Sequence, residues 1–272
     1  MNTPANPTAG GIRVGVGGWT FEPWRDNFYP KGWPASRELE YASRHLTAIE
    51  INGTYYSTQK PATFAKWHDE TPEGFVFSLK AHRLSTNRRV LAEAGDSVRF
   101  FVNSGIAELR SKLGPIVWQF APTKRFDAAD FEAFLKLLPA EVSGRPLRHA
   151  MDVRHESFRC AEYLALARRY GVATVFTDAD DYPPIPDLTG DFVYTRMMRT
   201  ESSQPEGCAP EVFPPLAACA RRWRDGGEPE GLPRIEPAPA AHAAPRDVFM
   251  FFISGAKEKA PAAAMALIRA LG

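Results

Sequence analysis

The chain has 272 residues, 44% hydrophobic and 12% aromatic, which suits either two ordinary domains or one large barrel. A formal net charge of +1 provides no global field for nucleic acid or an anionic membrane surface, and no run approaches the ~18 consecutive apolar residues of a membrane span. Cys160, Cys208 and Cys219 are odd in number and lack CxxC or Cys/His spacing, which argues against a disulfide framework or zinc knuckle and suits a reducing, cytoplasmic setting.

Residues 1–11 are rich in Pro, Ala and Gly without a basic start or apolar run, so they read as a flexible tail rather than a signal peptide. Residues 12–17 form the first predicted strand, followed by a Trp-rich loop. Residues 36–46 carry a Ser N-cap and apolar positions Leu39, Ala42 and Leu46 at helical spacing. A strand at 48–52, a helix at 61–68 with Pro in its first turn, and a strand at 75–80 come next. The stripe Val98, Phe101, Val102, Ile106 and Leu109 predicts one amphipathic helix over 96–112. Strand 116–120, helix 127–138, strand 147–154 and a helix over 157–170, stopped by Gly171, follow.

Strand 172–177 leads into a Pro-rich stretch, 182–187, where a helix would otherwise stand. The last elements are strand 192–196, helix 216–224, strand 248–253 and helix 262–271. Between the last two units, residues 224–246 are dense in Pro, Ala, Gly and Glu and read as a long loop. Eight strands mostly alternating with helices imply parallel strands joined by crossovers, hence a single-domain (β/α)8 TIM-type barrel. An open doubly wound sheet is the alternative; Gly15, Gly17 and Gly18 lack the further in-register glycine of a dinucleotide loop.

Catalytic groups of such barrels sit at the C-terminal strand ends. Those ends present Trp19, Glu50, Asn52, Lys80, His82, Gln119, Asp152, Arg154, His155, Asp178, Arg196 and Ser254, against mostly apolar strand bodies. Glu50 and Asn52 are two apart and share a face, as do Asp152 and Arg154. Buried charge is costly unless paired, so Glu50 and Asp152 should lie near Lys80, Arg154 or Arg196. The competing reading is a structural ion network without a substrate. His149, Asp152 and His155 do not share one strand face, and three nearby cations repel a divalent ion, so no metal is expected. Trp19, Trp24, Tyr29 and Trp33 either stack on a planar ligand or plug the barrel end, while Arg88, Arg89 and Arg99 read as solvated charge.

On these residues the chain resembles the YecE-like family, domain of unknown function 72, from about residue 12 onward. The resemblance is carried by Gly17-Gly18-Trp19 with Trp24 and Phe28-Tyr29-Pro30, and by Ile49-Glu50-Ile51-Asn52-Gly53-Thr54-Tyr55-Tyr56. Phe75-Val76-Phe77-Ser78-Leu79-Lys80, the run Leu113 to Phe120, and Asp152-Val153-Arg154-His155-Glu156-Ser157-Phe158 extend it. It implies a TIM-like barrel and no particular reaction. Three places depart from the family pattern: Met198 and Arg199 replace a His-Gly after strand seven, Ser254 replaces an Asn after strand eight, and the long loop over 224–246 reads as an insertion or decay.

The function expected is an enzyme acting on a small anionic substrate, phosphorylated ones included, at the barrel mouth, without a cofactor. Lys80, Arg154 and Arg196 would hold the anion, because a guanidinium fork matches carboxylate or phosphate oxygens. Glu50 or Asp152, with His155 as a second candidate, would move protons; Trp19, Asn52, Gln119 and Asp178 would contact the substrate. Lys80 could alternatively form a Schiff base. A non-catalytic binding protein on the same scaffold is the alternative, and balanced charge disfavours nucleic acid unless a basic groove lies beside the mouth.

Overall fold

The computed structural model describes residues 10–237 and 244–272. Eight parallel strands close into a barrel: β1 (Ile12–Gly17), β2 (Ala48–Ile51), β3 (Val76–Lys80), β4 (Leu113–Gln119), β5 (His149–Asp152), β6 (Ala173–Thr177), β7 (Phe192–Met197) and β8 (Asp247–Phe252). Each strand pairs with its sequence neighbours, and β1 pairs with β8 to complete the ring. Helices α1 (Glu38–His45), α2 (Pro61–Glu70), α3 (Gly95–Val102), α4 (Ala128–Leu135), α5 (Ala161–Arg169), α6 (Phe213–Arg224) and α7 (Ala260–Leu271) complete the predicted barrel.

Strand alternation sorts side chains into two cores. Val14, Val16, Ile49, Ile51, Phe77, Leu79, Trp118 and Met151 point outward and are buried with helix residues. Ala48, Val117, Ala150, Val175, Phe192, Tyr194, Phe249 and Phe251 fill the barrel interior. Gly15 has no room for a side chain, since a Cβ there would sit 1.8 Å from the Ala48 carbonyl oxygen across the β1–β2 pairing. Near the N-terminal end of the strands, Arg148 covers Phe192 and Phe249 and pairs with Asp247 at 2.7 Å. That end is therefore closed by packing.

The single helix expected over 96–112 is broken. Gly105, at φ +111°, turns the chain, and a Cβ there would lie 2.7 Å from Pro61, so backbone conformation and close approach both require glycine. A tighter stretch, Ile106–Lys112, follows and keeps the apolar stripe buried. Lys112 then donates to the carbonyls of His68 and Thr71, capping the end of α2. The strand expected over 147–154 ends at Asp152, which leaves Arg154 on the following loop.

Residues 178–191 between β6 and β7 contain no helix, as the Pro-rich sequence predicts. The expected long loop over 224–246 is anchored where it is described: Asp187 accepts the backbone N–H groups of Ile235 and Glu236, and Arg234 pairs with Glu228 at 2.8 Å. Its middle, 238–243, and most of the N-terminal tail, 1–9, lie outside the described residues.

Candidate functional site

The strand register fixes which side chains meet at the C-terminal mouth. Glu50 lies opposite Gly17 and Ser78, Gln119 opposite Asp152, and Arg196 opposite Thr177 and Phe251. All of these side chains point inward, two residues above the apolar interior positions of their strands.

The lowest polar layer is a sealed ion pair. Glu50 is 0% exposed and Arg196 1%. Arg196 Nε donates to Glu50 Oε2 at 3.0 Å, and Nη2 donates to Oε1. Tyr194 OH donates to Glu50 Oε2 at 2.6 Å, with Ser78 Oγ 2.8 Å from the Tyr194 hydroxyl. Burial disfavours the Arg196 charge, but Glu50 and then Asp152 outweigh it and hold its pKa above the ordinary value. Burial, and next the Glu50 carboxylate, push the Tyr194 pKa well up, so its hydroxyl remains a donor. Both Glu50 oxygens are engaged by Arg196 and Tyr194, and the carboxylate is shielded from solvent.

Above this pair lies a second, half-open layer. Arg196 Nη1 donates to Asp152 Oδ2 at 2.8 Å and to Gln119 Oε1 at 3.0 Å. Arg154 Nη2 donates to the same two acceptors, at 2.9 Å each. Its guanidinium rests 4.4 Å from the Tyr182 ring centre, and Nη1 lies 3.2 Å from the Tyr182 hydroxyl. Two arginines thus share one carboxylate oxygen and one amide oxygen. Asp152 Oδ1 and Gln119 Nε2 have no partner among the described residues.

Lys80 differs from both arginines. Its ammonium lies 4.2 Å from the Tyr55 ring centre, and no carboxylate among the described residues comes within 4.0 Å of it. Burial, and next the Arg196 charge, lower its pKa from 10.5 to about 8. The mouth therefore holds three cations against two carboxylates, and both carboxylates are committed to arginines.

Other expected site residues fall outside this cluster. Trp19 follows the turn at Gly18 (φ +77°) and packs edge-on against Trp67 of α2 and Phe77, on the outer side of the barrel wall and apart from the Glu50–Asp152 cluster. Trp24 is fully buried and donates to the Lys257 carbonyl at 2.8 Å, so the aromatic first loop is a plug tied to the segment after β8. His155 Nδ1 accepts the Ser157 N–H at 3.1 Å and caps a short turn, and it makes no bond to the Glu50–Asp152 cluster. His149 is buried outside the barrel between Trp118 Nε1 and the Pro139 carbonyl, and burial lowers its pKa to about 4.

Asp178 accepts the Met198 N–H at 2.5 Å and ties the β6 end to the β7 end; burial raises its pKa. Asn52 Nδ2 occupies the space left by Gly17, where a Cβ would approach it to 2.6 Å. Sequence reasoning missed four contributors. Ser78 and Tyr194 stand two residues before Lys80 and Arg196 on the same strand faces, so alternation could have found them. Tyr55 ends a short 3-10 turn and Tyr182 lies on a loop, where no strand period marks them.

Comparison with known proteins supports the fold over the whole chain. A DUF72 family protein of Thermotoga maritima MSB8 superposes with a TM-score of 0.71 at 20% identity, covering 96% of this chain and 99% of that one. A DUF72 family protein of Enterococcus faecalis V583 gives 0.65 at 16% identity, covering 96% and 97%. SacUVDE gives 0.54 at 11% identity, covering 96% and 98%. At these identities the likeness concerns the fold alone.

Among curated sequences, the UPF0759 protein YunF of Bacillus subtilis (strain 168) is 28% identical over 116 residues, 41% of this chain and 40% of that protein. The UPF0759 protein YecE of Escherichia coli (strain K12) is 28% identical over 123 residues, 44% and 42% respectively. The chain thus spans about two fifths of the curated relatives it matches. The model of the family described as "Protein of unknown function DUF72" matches residues 13–272, and the chain belongs to that family.

Proposed function

We propose that the C-terminal mouth binds a small organic anion, with Lys80 as the cation that receives it and Asp152 as the group that exchanges a proton with it. The observation that carries this reading is the unpaired, largely buried ammonium of Lys80 beside two carboxylates already committed to arginines. A buried cation with no carboxylate partner among the described residues is favoured by an anion supplied from solution. Gln119 Nε2 offers a neighbouring donor and Asp152 Oδ1 an acceptor, while Arg154 and Arg196 fix both side chains from below and beside. Arg196 serves the site by holding Asp152 and Gln119 in place rather than by touching the ligand. Three free cysteines suit a reducing cytoplasm, and no helix among the described residues is long and apolar enough to cross a membrane.

The test is a thermal-shift screen of small carboxylates without a phosphate group against the full chain and its Lys80→Met variant. A ligand at about 100 times its Kd stabilises by about 2.7 kcal/mol, well within the resolution of the assay. Anionic hits that vanish in Lys80→Met support the reading. Hits that persist undiminished in the variant contradict it. The sealed Glu50–Arg196 pair favours a second reading, binding without turnover, because the most deeply buried carboxylate of the mouth reaches no ligand. Conversion of an identified ligand by the wild type, lost in Asp152→Asn while affinity survives, separates the two.

A further inference from the structure

Beside the mouth, the loops after β3 and β4 enclose a cleft of about 520 Å³. Arg88, Arg89, Lys124 and Arg125 line it together with Thr86 and Asn87, and its lining residues include no carboxylate. Lys124 is neutralised from outside by Asp130 at 2.7 Å. The three arginines have no carboxylate within 4.0 Å among the described residues, so their charges are uncompensated.

The cleft is also held to a fixed width. Asp130 Oδ1 accepts the Leu91 and Ala92 N–H groups of one wall, and its Oδ2 accepts from Lys124 of the other. Lys124 also donates to the Arg89 carbonyl at 2.7 Å, crossing the cleft. Arg88 is set by bonds to the carbonyls of Leu84 and Glu93 and to Ser97 Oγ. Arg89 and Arg125 are exposed, and their guanidiniums make no bond among the described residues. Preorganised walls with two free guanidinium forks suit a compact dianion, whose oxygens those forks match in pairs.

The cleft adjoins the proposed ligand site through direct bonds. Thr86 Oγ1 donates to the Gln119 carbonyl at 2.5 Å, and Asn87 Nδ2 donates to Tyr55 OH at 3.2 Å. Tyr55 is the ring on which Lys80 rests, and Gln119 holds both mouth arginines. We infer that this cleft binds the phosphate group of a phosphomonoester whose other end enters the mouth. The inference rests on the reading of the mouth as an anion site and adds the substrate class to it. Arg89 and Arg125 are the recognition residues, and Arg88 supplies fixed positive potential.

The test titrates inorganic phosphate and, separately, glycolate into the full chain, Arg89→Ala/Arg125→Ala and Lys80→Met, by calorimetry and by NMR of the arginine side-chain N–H groups. Phosphate affinity is expected to fall about tenfold or more in the double arginine variant and to change by less than about twofold in Lys80→Met. Glycolate should show the opposite dependence, so loss of one pattern without the other tells which of the two readings failed. Both arginines are exposed and unbonded, so the double variant should fold with unchanged circular dichroism. Phosphate that does not bind, or binds equally in the double variant, overturns the inference. It is equally overturned if a single-stranded oligonucleotide binds about a hundredfold tighter than phosphate through the same arginines, since the cleft would then serve a polymer.

Discussion

Lys80→Met should make the protein more stable while removing its affinity for the mouth anion. The wild-type ammonium is largely buried without a carboxylate, which lowers its pKa from 10.5 to about 8. At about 1.4 kcal/mol per unit, and discounted for its remaining exposure, that shift corresponds to about 2–3 kcal/mol of unfavourable charge burial at neutral pH. Methionine keeps the aliphatic stem and loses the contact with Tyr55, which is worth about 0.5–2 kcal/mol. The net expectation is a gain of about 1 kcal/mol, or a rise in Tm of about 2–4 °C for a domain of this size. A binding residue that the fold would be more stable without is the pattern of a functional site.

The pH dependence provides an internal control. With a folded pKa near 8 and an unfolded value near 10.5, the native state binds fewer protons through Lys80 between those limits. Wild-type stability therefore rises with pH across that window and is lowest, for this group, below about pH 8. Lys112 and Lys257, also lowered by burial, add rises of their own, so the difference between wild type and variant is the observable. Urea unfolding followed by circular dichroism from neutral to alkaline pH should show the variant's advantage shrinking as pH rises. A variant less stable than wild type at neutral pH, or a difference that is flat with pH, refutes the reasoning.

Affinity for the mouth anion should decline as pH rises through about 8, where Lys80 loses its charge, falling about tenfold per unit well above that value; calorimetry over a pH series checks this. Arg196→Met strands Glu50 and Asp152 without their shared cation and should cost about 3–5 kcal/mol, read as a loss in urea midpoint, with part restored by adding Glu50→Gln. A double variant no more stable than the single would show that Glu50 is not the stranded charge. Ser254 sits at φ +69°, a left-handed conformation that costs a non-glycine residue about 1 kcal/mol and that Asn adopts more readily. Ser254→Asn should therefore raise Tm by a degree or more, and an unchanged or lowered Tm would contradict the strain argument.

Much of the mouth was legible because strand alternation is a strict rule. Glu50, Lys80, Gln119, Asp152 and Arg196 stand at C-terminal strand ends, and the barrel brings them together as their spacing implies. Which charges pair was not legible, because pairing depends on cross-barrel distances that only closure sets. The sequence offers Lys80, Arg154 and Arg196 alike as partners for the carboxylates, and the arginine forks take both of them. Trp19 stands apart from this cluster because the turn at Gly18 carries the chain over the barrel wall, which a strand-end count ignores. The apolar stripe over 96–112 continues on both sides of Gly105, so the break there shows only in its backbone conformation and its contact with Pro61. Arg88 and Arg89 read as solvated charge because their companions, Lys124 and Arg125, arrive from the next loop.

The most direct test of the central claim is a crystal structure of the full chain grown with glycolate in large excess. A glycolate carboxylate within hydrogen-bond distance of Lys80 Nζ and Gln119 Nε2, with its hydroxyl turned toward Asp152 Oδ1, is the predicted result. Water alone at the mouth, with the Lys80 ammonium folded onto Asp152, would contradict it.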